Sequence, residues 1–176
     1  MPQMQPSALE KLQVFSTELL DAIDQAVQPG LADGPVNESV MAILNSGDME
    51  RHLGSEVGPI SGPIAQCCIS GLWLLAGDID RSHAISQNLS SAEGSFLHGI
   101  MHRREQDFGN AKYWFRKVGE HSVFFEIAAN AGEIYTDPFD FVDACSDAVR
   151  NGVDKERCQD AQWIEWQYLM AHIVAG

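Results

Sequence analysis

The chain has 176 residues, 45% of them hydrophobic and 20% charged, enough to bury one core of ordinary size and too apolar for a disordered tail. Its formal charge of -14 opposes binding to nucleic-acid backbones and to anionic membranes, both of which select cationic surfaces. The four cysteines, Cys67, Cys68, Cys145 and Cys158, lack C-x-x-C spacing and read as reduced, buried small residues; residues 1–6 lack the features of a signal peptide, so the expected location is cytoplasmic.

The first expected helix opens on a capping box of Ser7 and Glu10, continues through Leu9, Leu12, Phe15, Leu19, Ile23 and Ala26, and stops at Pro29 and Gly30. A loop over 28–37, rich in Gly, Pro and Asp, leads to a short helix over 38–45 behind Asn37, and 46–62 reads as loop with one turn near 49–53. Residues 57–77 carry no charged side chain. Pro59, Gly62 and Pro63 interrupt that run and leave about 14 helical residues, roughly 21 Å, short of the ~30 Å needed to span a bilayer core. It predicts a buried helix ending at Gly77.

Beyond it, Asp80 is the expected cap of a helix reaching about residue 89, and Ser90 with Glu93 forms a capping box for one reaching about 105. Asp107 caps a helix over 107–118, Ser122 one ending near Gly132, Asp137 followed by Pro138 begins the next, and Asp154 the last. No strand alternation competes. The expectation is all-α: one domain over 1–176, with N-terminal helices and loops over 1–60 and a core of antiparallel helix pairs over 61–176, about seven to nine helices altogether.

Within that core, Gly99, Ala111 and Phe115 fall in register with the Gly, Ala and Phe of a tetratricopeptide repeat, and Asp107 and Phe108 sit at its interhelix turn. Residues 95–123 therefore resemble that helix-turn-helix unit, although Ser95, His98, His102, Val118 and Val123 stand where it prefers Trp, Leu, Tyr, Ala and Pro. The pair over 64–89 resembles a degenerate second copy with Ala84 in the place of Ala111. The two alanines are 27 residues apart, against a repeat period of about 34, which implies related packing without a regular superhelix. The strings Ser82-His83-Ala84-Ile85-Ser86-Gln87, His102-Arg103-Arg104-Glu105, Asn110-Ala111-Lys112-Tyr113-Trp114-Phe115-Arg116 and Gly119-Glu120-His121, with Asp137-Pro138-Phe139 and Glu165-Trp166, also resemble an uncharacterised family of bacteria, fungi and plants over about residues 64–172. That resemblance implies no activity or ligand.

Functional candidates concentrate in the polar segment 82–121. His98, His102 and Glu105, at i, i+4 and i+7, fall within about 60° of one another on a helix, a spacing that can hold a divalent metal by two imidazoles and a carboxylate. The same positions face the partner helix of a helix pair, where imidazoles are equally suited to structural hydrogen bonds. Arg103, Arg104, Lys112, Arg116 and Lys117 supply five of the eleven basic residues within fifteen positions, a patch able to select carboxylate or phosphate or to balance neighbouring acids and helix dipoles. His83 and Gln87 lie one turn apart on the preceding helix and can converge on His98 and His102 if the two helices pack. Asp80, Ser82 and His83 are too close in sequence for a hydrolytic triad. Tyr113 and Trp114, adjacent on one helix, cannot both face the core.

The favoured expectation is an interaction or ligand-binding module. Its cationic, His-containing cleft of His83, Gln87, His98, His102, Arg103, Arg104, Lys112, Arg116 and His121 would recognise an anionic group on a small molecule, protein or peptide. The rival is a metal-dependent enzyme with a divalent ion on His98, His102 and Glu105, joined by His83 or His121.

Overall fold

The computed structural model describes residues 3–55 and 58–176; Met1 of the expected leaderless N-terminus and Val57 at the head of the uncharged run lie outside them. Eleven helices occur among the described residues: α1 (Pro6–Leu12), α2 (Thr17–Asp24), α3 (Glu38–Asn45), α4 (Met49–His52), α5 (Gly62–Ala76), α6 (Ile79–Ser86), α7 (Ala92–Arg104), α8 (Phe108–Val118), α9 (Val123–Ala131), α10 (Pro138–Asn151) and α11 (Lys155–Ala175). A two-residue antiparallel ladder, β1 (Gly54–Ser55) with β2 (Gly58–Pro59), is the sole strand pairing described. The fold is all-α.

The higher helix count arises in the N-terminal third. One long helix was expected through Leu12 and Leu19, but the chain breaks at 13–16: Phe15 bridges to Leu53, Ser16 donates its N–H to the His52 carbonyl, and its hydroxyl caps α2 by accepting from Leu19 N at 3.2 Å. Ser7 is no capping residue. Gln5 precedes α1 without a side-chain cap, while the Ser7 hydroxyl lies 3.1 Å from the Tyr168 hydroxyl and ties α1 to α11. Asn37 likewise does not cap α3; its buried amide accepts from Val27 N and donates to the carbonyls of Val27 and Leu75, fastening the 25–37 loop to the end of α5.

From α5 to α8 consecutive helices pack on one another, α5 on α6, α6 on α7, α7 on α8, and α11 contacts α1, α5, α9 and α10. Two caps are displaced by one or two residues from the expected ones: Asp78, not Asp80, caps α6, and Ser91, not Ser90, caps α7, each accepting from the N–H three residues on at 3.0 Å. Asp107 caps α8 as expected, accepting from Asn110 N at 3.1 Å. At the α7/α8 crossing a Cβ on Gly99 would stand 3.1 Å from Phe115 ring carbons, so the small residue sets the closeness of the pair. Gly71 does the same between α5 and α11, where its carbonyl accepts from Trp166 Nε1 at 2.7 Å.

The position of α7 determines the site. Every residue from Gly94 to Arg104 is buried, because α6, α8, α5 and α10 surround the helix. Ser95, His98, His102, Arg103 and Arg104 are thus enclosed although they are polar. Burying such groups is tolerated only where each finds partners. No helix among the described residues is long and apolar enough to cross a membrane.

Candidate functional site

On α7, His98 and His102 lie one turn apart and face α6 and α8. Their Nε2 atoms are 3.0 Å apart. His83, half-buried on α6, brings its ring to 4.9 Å from His98 and 5.4 Å from His102, centroid to centroid. One nitrogen from each of the three rings lies within 4.8 Å of the other two. The Trp114 indole of α8 stacks on His98 at 4.0 Å and 26°, and the Lys117 ammonium sits 4.4 Å above the indole. The three imidazoles therefore face one another, with the Trp114 indole stacked on His98 and His83 the least buried of the three.

The outer nitrogens of the two α7 rings are fixed by separate partners. His102 Nδ1 is 3.0 Å from Glu105 Oε2, and a carboxylate accepts only, so this nitrogen carries a proton and Nε2 is the atom that faces the cluster. His98 Nδ1 is 3.3 Å from the Ser86 hydroxyl, which either donates or accepts. An ion would be held by the two Nε2 lone pairs, with the His98 proton on Nδ1 toward the Ser86 hydroxyl. Burial, aided by the proximity of His102 and His83, pushes His98 down to about 4, so this ring is neutral near pH 7 and needs no deprotonation to become a ligand.

Glu105 does not complete the metal set in the expected way. Being one turn beyond His102, it reaches the outer nitrogen of that ring and not the space between the imidazoles; the third group in that space is His83. Zinc–nitrogen distances of about 2.0–2.1 Å place two ligands of a tetrahedral ion about 3.3–3.4 Å apart. The 3.0 Å separation of His98 and His102 needs only slight opening to receive one.

Comparisons with protein-family models, with curated proteins and with solved structures find no match. The site is therefore read from its own chemistry.

The basic residues expected in the cleft are not gathered there. Arg103 is fully buried on the α10/α11 side of α7, where its guanidinium meets Glu165 at 3.0 and 2.5 Å, Gln162 at 3.3 Å, and the Phe141 ring at 4.6 Å. Burial opposes its charge, but the Glu165 carboxylate together with Cys145 and Tyr135 outweighs burial and holds the guanidinium above its ordinary value. Arg104 donates to the Leu74 carbonyl at 2.5 Å, and burial, with repulsion from Arg103, pulls it down to about 10. With α7 covered on all sides, neither guanidinium can meet a ligand from solvent. Lys112 of α8 pairs with Asp143 of α10 at 2.6 Å, and Arg116 is exposed.

Gln87 lines a surface depression of about 420 Å³ together with Ser95, Trp114 and Lys117. His121 lies away from the His83 group, 3.3 Å from Glu93 and with its ring 4.5 Å from that of His172. Sequence reasoning missed Ser86 and Trp114 as supports of the imidazoles, and Glu93 and His172 as neighbours of His121. Ser86 lies three residues after His83, and that spacing was a usable signal; nothing local joins Glu93, His121 and His172. Tyr113 is the exposed member of the aromatic pair and Trp114 the half-buried one. All four cysteines are buried and free.

Proposed function

We propose that the protein binds a divalent transition-metal ion through His83, His98 and His102, the ion keeping one position for water or a small anionic ligand. The observation that carries this reading is the convergence of three imidazole nitrogens, from two helices, on one space. Its support comes from the outer contacts: a carboxylate on His102 and a hydroxyl on His98 fix both rings in ligating orientations, as partners behind metal-bound histidines do. Three nitrogen ligands suit zinc or copper(II), and a tetrahedral ion so held activates a bound water, the arrangement of metal-assisted hydrolysis.

Calorimetric titration of untagged protein with zinc is the test. The reading requires saturable binding that His102→Ala and His83→Ala each weaken by at least tenfold. Equal affinity in both variants would refute it.

A binding role for an anionic small molecule is favoured separately by the depression beside Trp114, where Lys117 and Gln87 supply one cation and one amide. It uses Lys117 in place of the buried Arg103 and Arg104. The tetratricopeptide-like reading of α7 and α8 is supported by the contact of Gly99 with Phe115. Four free cysteines suit a reducing compartment such as the cytoplasm.

A further inference from the structure

We propose a second metal-ion site, independent of the His83 set, formed by Glu93, His121 and His172. The three residues come from distant stretches: Glu93 from the first turn of α7, His121 from the α8–α9 connection and His172 from the last turn of α11. Glu93 Oε1 is 3.3 Å from His121 Nε2 and 3.9 Å from His172 Nε2, and one ligating atom from each residue lies within 4.8 Å of the others. Ligand atoms around a tetrahedral ion with bonds of about 2.0–2.2 Å stand about 3.3–3.6 Å apart, so the observed separations bracket the spacing an ion imposes.

An ion pair alone explains only half of this arrangement. His121 donates to Glu93 and is satisfied by it, but His172 Nε2, at 3.9 Å, is beyond hydrogen-bond reach of the carboxylate, and the His172 imidazole makes no hydrogen bond among the described residues. An ion between the two rings and the carboxylate satisfies both. A cavity of about 140 Å³, lined by Glu93, His172, Ser91, Cys67 and Ile64, opens beside them. At roughly 30 Å³ per water it has room for the solvent ligands that a three-residue set leaves to fill.

The electrostatics agree. Burial works against the Glu93 carboxylate, but its own backbone N–H and the His121 ring outweigh that and hold it below the ordinary carboxylate range. Burial and the neighbouring His121 ring lower His172, which leaves its lone pair free near neutral pH. Ligation by His121 Nε2 requires its proton on Nδ1, which gives up a long 3.3 Å contact from Val123 N–H for a coordination bond. Cys67 lines the cavity wall but is not one of the residues whose ligating atoms lie within 4.8 Å of one another, so the donor set is two nitrogens and one oxygen. Such a set with open positions takes zinc, cobalt(II) or iron(II).

Cobalt(II) titration, followed by visible d–d absorption and by elemental analysis after dialysis, decides the matter. Wild type should take up two ions per chain, without the near-ultraviolet band of a thiolate ligand. His172→Ala and His102→Ala should each retain one, and Glu93→Gln, nearly isosteric and therefore the safer variant for folding, should weaken the second ion by at least tenfold with an unchanged circular-dichroism spectrum. A single wild-type ion lost in His102→Ala, or a second ion indifferent to both His172→Ala and Glu93→Gln, would overturn the proposal. A single ion lost in His172→Ala and kept in His102→Ala would uphold this site and refute the His83 set.

Discussion

Replacing Glu165 by Leu removes one half of an ion pair in which both side chains are fully buried. The Arg103 guanidinium would keep its 3.3 Å bond to Gln162 and its place over Phe141 but lose both carboxylate contacts, and its Nε already has no hydrogen-bond partner. Breaking a buried pair by removing one partner costs about 3–5 kcal/mol, because the remaining charge is left in the core. The retained Gln162 and Phe141 contacts put the expected loss at about 3 kcal/mol, a large share of the roughly 5–15 kcal/mol that stabilises a domain. For a chain of this length it corresponds to a fall in Tm of about 6–12 °C. Urea unfolding followed by tryptophan fluorescence measures the loss directly. The double variant Arg103→Leu with Glu165→Leu, which removes both charges, should recover to within about 1–2 kcal/mol of wild type. A loss below about 1 kcal/mol for Glu165→Leu, or a double variant as unstable as the two single losses added, would refute the assignment of Arg103 to the core.

Three further outcomes are expected. In chelator-treated protein, the unfolded chain binds a proton at His98 between pH 6.5 and about 4 that the folded chain rejects, so stability is full above pH 6.5 and declines as the pH falls through that window. At about 1.4 kcal/mol per pH unit the ceiling is about 3 kcal/mol, and His98→Gln should flatten that part of the pH–stability curve; an unchanged curve contradicts the burial of a neutral imidazole. Gly99→Ala pushes a methyl group to 3.1 Å from the Phe115 ring, and chemical denaturation should show a loss of about 1–3 kcal/mol, against a gain if the α7/α8 crossing were loose. Glu105→Gln, which leaves the three inner nitrogens in place but removes the charge behind His102, should weaken zinc binding by about 10–100-fold in a competition assay, and an unaltered affinity would detach Glu105 from the site.

Helix existence was legible wherever capping chemistry and apolar spacing agreed. α8 and α10 begin behind Asp107 and Asp137, whose side chains cap them, while α3 and α11 begin behind Asn37 and Asp154 on apolar spacing alone, neither side chain making a capping bond. The break between α1 and α2 was not legible, because it is made by a tertiary contact: Phe15 and Ser16 leave the helix to pair with Leu53 and His52, residues whose proximity no local pattern reveals. The polar face of α7 misled in another way. Spacing put His98, His102 and Glu105 in reach of one another, but it did not give the direction in which Glu105 bends, beyond the last residue of α7, and it gave no sign that Arg103 and Arg104 lie under other helices. A helix enclosed on all sides has no apolar stripe to read, so charged residues in it look like surface until their distant partners Glu165 and Leu74 are located.

X-ray absorption at the zinc edge of His172→Ala protein loaded with one equivalent of zinc tests the proposed function most directly, since that background removes the Glu93 group from competition. A first shell of three imidazole nitrogens and one oxygen at about 2.0–2.1 Å, collapsing in the His83→Ala and His102→Ala derivatives, is the predicted result. A six-oxygen shell, or a nitrogen shell that survives loss of His102, would contradict the assignment of the ion to His83, His98 and His102.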